Sequence, residues 1–246
     1  MNEQRSSSAA WTVFIVLCVL VLIGLMVPAI VWTVLIVLGS LGLLGWIVFA
    51  TASFSAATKA HGPLMAFAKF FLLGTLGTII STVLVKGNWA IAHGVEQSLV
   101  WGVFGVWIGA SFVYAPAGVN ALLAKNWWPS LSWLWSFLGC PNGGARWWMA
   151  FSTSAWINVL GGYAYTMMVT HKYTDHLILN HWHGIFGLTD FAGSVDPNVV
   201  IAFLWKTIWL FWLWAHAITF RLPEEWRVIF GALLSVALGI LLAWMR

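Results

Sequence analysis

Apolar residues gather into seven stretches along the chain, divided by short polar breaks that hold almost all of its charge. A hydrocarbon core about 30 Å thick takes roughly 20 residues of apolar helix to cross, and in lipid the backbone must satisfy its own hydrogen bonds. The stretches therefore predict helical spans at 11–27, 29–50, 64–85, 98–122, 147–170, 198–220 and 226–245. The expected fold is all-α, a polytopic transmembrane helical bundle of about seven spans forming one integral membrane domain over residues 1–246. Only Val27-Pro28-Ala29 separates the first two spans, so the count becomes six if Pro28 kinks one long element instead of closing a hairpin. The period-two alternation that a transmembrane barrel requires is missing.

Composition agrees. The chain is 61% hydrophobic and 7% charged with a mean hydropathy of +0.90, against roughly 25% charged residues in a soluble domain. Orientation follows from the basic residues, because cytoplasmic loops carry the excess of Lys and Arg. With the N-terminus inside, Arg5, Lys59, Lys125, Arg146, Arg221 and Arg227 fall on the cytoplasmic side and Lys69 lies near that boundary, while Lys86, Lys172 and Arg246 fall outside. That asymmetry predicts a cytoplasmic N-terminus and an external C-terminus in a bacterial inner membrane. No small-x-small cleavage site follows the first apolar run, so a retained first helix is expected in place of a cleaved leader. The net charge of +4 is scattered over the loops and forms no patch, which excludes nucleic acid and leaves the lipid bilayer as the partner of these cations.

Twenty tryptophans stand out. Trp127, Trp128, Trp133 and Trp135, in a stretch broken by Pro129 and too polar to cross, predict an amphipathic segment in the cytoplasmic headgroup layer. The small-xxx-small pair Gly105 and Gly109, and the strip Gly39, Gly42 and Gly45, predict close helix contacts. Cys18 and Cys140 fall where this topology keeps them apart, so no disulfide is expected.

Polar residues inside the expected spans are the first candidates for function, since lipid makes them costly. On the fifth span, Ser154, Asn158, Gly161 and Tyr165 recur at spacings of four, three and four and so share one face of an unbroken helix. On the sixth, Lys206, Trp209, Leu213 and His216 do the same, with Asn158, Tyr165 or an outer carboxylate as expected partners. Interhelical hydrogen bonding and a snorkelling lysine are the plainer readings of these stripes; a substrate or proton path is the sharper one.

The loop 171–197 is the densest in chemistry. It holds His171, His176, His181 and His183 together with Asp175, Asp190 and Asp196, and the topology puts His93 and Glu96 on the same outer face. Imidazole and carboxylate suit copper, zinc or iron. Spacing limits the idea, because His176 and His183 in one helix capped by Thr174 and Gly184 stand about 10 Å apart along its axis. His181 and His183 would share an ion only in an extended segment. His216 has no second histidine at matching depth for haem, and no nucleophile motif of the Gly-x-Ser-x-Gly type occurs.

Two functional readings follow. The first is a non-catalytic integral subunit of a larger inner-membrane assembly of secretion, transfer or respiratory type, working with other membrane protein subunits. The second is a metal-binding membrane oxidoreductase subunit or metal transporter built on the outer histidines.

Overall fold

The computed structural model describes residues 2–182, 191–193, 202 and 205–244. Among them the secondary structure is helical throughout, with no strand. The contacts divide the chain into two units, residues 1–110 with 228–246 and residues 111–227.

The first unit opens with α1 (Asn2–Gly24) and α2 (Ala29–Phe49). Pro28, with ψ near 152°, ends helical geometry between them, so they are two elements and not one kinked helix. The short α3 (Thr51–Ala60) follows after a single residue, in a stretch the sequence reads as loop. Then come α4 (Gly62–Lys86), closed by Gly87 at φ +64°, and α5 (Gly94–Ala124), which continues into the second unit. Three of these helices, α2, α4 and α5, are long and apolar enough to cross a membrane, matching the expected spans within a few residues. The apolar part of α1, Trp11–Gly24, is shorter.

Glycines set the spacing here. A Cβ on Gly105 of α5 would stand 2.5 Å from the Ala66 carbonyl oxygen of α4, and one on Gly109 would stand 3.0 Å from the Ala66 Cβ, so this small-residue pair is where α5 meets α4. On α2 only Gly39 serves in this way, against Leu72; Gly42 and Gly45 face open space. Buried polar groups tie the same helices together. The indole of Trp32 (α2) donates to Ser98 Oγ (α5) at 3.3 Å, and Thr75 Oγ1 (α4) lies 3.0 Å from the same oxygen.

In the second unit α5 ends at a left-handed Asn126, whose Schellman bonds (Asn126 N–H to Leu123, Trp127 N–H to Leu122) satisfy the last carbonyls. The tryptophan-rich stretch contains α6 (Ser132–Phe137). It is pinned by indoles: Trp128 donates to Ser152 Oγ at 2.8 Å and Trp148 to the Pro129 carbonyl at 2.5 Å, while Trp127 and Trp133 stay exposed. Next, α7 (Pro141–Ala155) widens into a π turn over Trp156–Leu160. Gly162, at φ +65°, then breaks the chain direction before α8 (Tyr163–Leu179). The expected span 147–170 is therefore two helices and a widened turn. Beyond the histidine loop, a second π turn over Ile208–Trp212 leads into α9 (Leu213–Arg221), followed by α10 (Glu224–Trp244), most of which belongs to the first unit.

Candidate functional site

Within the second unit α7 and α9 pack side by side, and Ser152, Thr153 and Ser154 at the end of α7 are buried together with Asn158 of the π turn that follows. Buried polar groups are costly without partners. Thr153 Oγ1 donates to the Met149 carbonyl one turn back, and Ser154 Oγ donates across to the Leu213 carbonyl at 2.5 Å, just past the second π turn. The Asn158 amide nitrogen lies 2.9 Å from the Ser154 carbonyl and 3.2 Å from Ser154 Oγ. The same amide also meets His216 Nδ1, the nitrogen at 2.9 Å and the oxygen at 3.1 Å, with the donor set by the imidazole tautomer. Trp212 stacks on the imidazole at 5.1 Å between centroids, and Phe112 meets it edge-on at 5.7 Å.

Both π turns flank this cluster. The Gly161 N–H reaches back five residues to the Trp156 carbonyl, and Asn158 sits inside that turn. A π turn inserts one residue and so rotates all that follows by about 100°, and such turns concentrate at functional sites. The second one has a direct consequence. Lys206, expected to share a face with His216, is exposed, whereas His216 is turned inward onto Asn158. In the same way the break at Gly161-Gly162 removes Tyr165 from the face of Ser154 and Asn158; Tyr165 is half-buried on α8.

The histidines expected on the outer face pair locally. In the first unit His93, at φ +55°, has Nδ1 3.7 Å from Glu96 Oε1. In the second, α8 runs on through Thr174 to Leu179, so Thr174 caps nothing. His171 Nδ1 stands 3.6 Å from Asp175 Oδ1, and burial holds its pKa below the ordinary histidine value while Asp175 acts in the opposite sense. His176 Nε2 is 3.2 Å from the Asn180 amide nitrogen, and its ring meets Phe191. His181 and Trp182 are both left-handed, at φ +52° and +59°, so the segment is not extended there: it is the Schellman end of α8. His183, Asp190 and Asp196 lie outside the described residues. Among the described residues no three His, Cys, Asp or Glu side chains gather as ligands for a copper, zinc or iron ion.

One buried cation escaped sequence reasoning. Lys69 is 0% exposed, donates to Thr58 Oγ1 at 3.0 Å and lies 4.7 Å from the Phe54 ring centroid. Its setting is made by α3, whose Phe54 and Thr58 stand one turn apart over α4. The available signal was that i, i+4 pair, hidden in a stretch of alanine, serine and threonine. The chain matches no known family model, no curated protein and no solved structure.

Proposed function

We propose that the chain is a non-catalytic integral subunit of a larger inner-membrane assembly of secretion, transfer or respiratory type, a seven-span bundle with its N-terminus cytoplasmic and its C-terminus external. The supporting observation is Lys206. It falls inside the expected sixth span, about 12 Å from the outer boundary at 1.5 Å per residue. It is exposed, beside Trp205 and Trp209 at 56% and 38% exposure. A lysine at such a depth costs about 2.5–3.5 kcal/mol on insertion scales unless it snorkels or is paired. A carboxylate on a neighbouring subunit offsets that cost, and two large indoles beside it match the aromatic anchors that dominate protein interfaces.

The test is a photocrosslinker at Leu210, the 78% exposed neighbour of this patch, in native membranes. The expected product is one band with an integral membrane partner, abolished by Lys206→Glu and weakened by Lys206→Met at equal expression. Crosslinks to lipid alone, with Lys206→Met fully active, would return Lys206 to the class of snorkelling lysines and remove the support for the assembly. Metal analysis of the purified chain bears on the second reading: stoichiometric copper, zinc or iron lost in His171→Ala/His176→Ala would favour the metal-dependent function instead.

A further inference from the structure

Four helices contribute residues of the second unit to an open cavity of about 400 Å³. Arg146 enters it from the second turn of α7, Arg221 from the last residue of α9 and Arg227 from the first turn of α10, with Asn120 of α5 beside them. In the sequence these arginines are 75 and 6 residues apart (221 − 146 and 227 − 221) and read as separate marks of topology. The fold makes them one site.

Their bonding leaves capacity for a ligand. Arg227 is the most committed: its Nε donates to the Leu222 carbonyl at 3.1 Å, its guanidinium lies 5.8 Å from the Phe220 ring, and Glu224 stands 3.8 Å away. Arg221 rests over the Trp147 ring at 5.1 Å, a contact that orients the guanidinium plane and leaves its N–H edge unspent. Three guanidinium charges face the lining carboxylate of Glu224, and Glu225 also acts on Arg227, for a net of one positive charge. The remaining wall is apolar, from Met149 and Phe220.

We propose that this cavity is a binding site for a phosphate group, held by the forked N–H donors of Arg146 and Arg221 and oriented by Arg227. Arginine forks match the paired oxygens of phosphate, and the charge excess matches one phosphate diester. The phosphate has two sources, the headgroup of an anionic phospholipid or a soluble phosphate. Basic pockets between membrane helices on the cytoplasmic side suit the first, and the apolar wall gives its glycerol and upper acyl carbons a place to lie.

The experiment uses the full chain purified in neutral detergent. Native mass spectrometry counts retained phosphatidylglycerol against phosphatidylcholine, and equilibrium dialysis measures inorganic phosphate. The expected result is at least about tenfold preference for phosphatidylglycerol, lost in Arg146→Gln/Arg221→Gln and reduced about tenfold in Arg146→Lys/Arg221→Lys, which keeps the charge and removes the fork. Should the glutamine variant fail to insert, the lysine variant, which preserves the cytoplasmic charge, decides alone. Removing two other cytoplasmic charges, in Lys59→Gln/Lys125→Gln, leaves the preference intact. Phosphate binding by dialysis that displaces the lipid and responds to the same variants identifies a soluble ligand at this site. Equal retention of both lipids without phosphate binding, or a preference that survives both arginine variants, overturns the proposal.

Discussion

Each unit contains a cluster of buried hydroxyl and amide side chains between helices, and these two clusters treat the backbone differently. In the first unit Ser98 and Thr75 each donate one turn back along their own helix, to Gly94 at 2.7 Å and Phe71 at 2.6 Å, while Ser98 Oγ accepts from Trp32, a cross-link made without disturbing the α-helical ladder. In the second unit Ser154 gives its hydroxyl to a carbonyl of another helix, Asn158 sits inside a π turn, and a second π turn carries Trp212 onto His216. Regular helices held by glycine contacts make a scaffold. Widened helices hold a titratable ring in a set orientation, an arrangement whose irregularity is tolerated because Asn158 and Ser154 supply the compensating bonds.

The sharpest way to break that contrast is to overfill the scaffold. Gly105→Leu drives a side chain onto the Ala66 carbonyl, which is backbone and has no rotamer to give way. We expect a loss of about 3 kcal/mol, seen as a lower thermal midpoint in detergent; an unchanged midpoint would show that α4 and α5 do not meet there.

Asn158→Leu tests the second cluster with a smaller effect. It strands the His216 ring nitrogen and takes one donor from Ser154 Oγ, at a cost of about 2 kcal/mol. His216→Leu alone should cost less, and the double variant should be less harmful than the sum of the two, with a coupling of about 0.6–2 kcal/mol in a double-mutant cycle. Additive effects would mean that the two side chains do not bond.

Smallest is the backbone effect. Gly162→Ala forces a Cβ into the left-handed region at φ +65° and should cost about 1 kcal/mol, while Gly42→Ala, at a helical position facing open space, should be neutral or slightly stabilising. Equal midpoints for the two alanine variants would remove the break between α7 and α8 as a designed feature.

The expected spans 29–50, 64–85 and 98–122 lie close to Ala29–Phe49, Gly62–Lys86 and Gly94–Ala124 because helix length in an apolar run is a local property, readable residue by residue. The span 147–170 reads just as apolar, yet Gly161-Gly162 and the π turn divide it, since a periodicity argument assumes 3.6 residues per turn throughout. The same assumption aligned Lys206 with His216. The histidine loop was legible as composition only: α8 absorbs His171 and His176, and a left-handed His181 ends it, so each histidine's direction depends on a helix boundary that composition does not mark.

Taken alone, the order of amino acids determines that this chain is helical, that three of its helices have the length and apolarity to cross a membrane, and that its charge lies mostly between them. These are properties of short windows and of the solvent they prefer. Tertiary structure decides which polar groups meet: Asn158 with His216 across 58 residues, Lys69 under α3, and three arginines around one cavity. Those meetings depend on helix phase, which a single inserted residue in a π turn rotates by about 100°, and on which backbone a glycine meets, such as Ala66 against Gly105, a partner that no local pattern names.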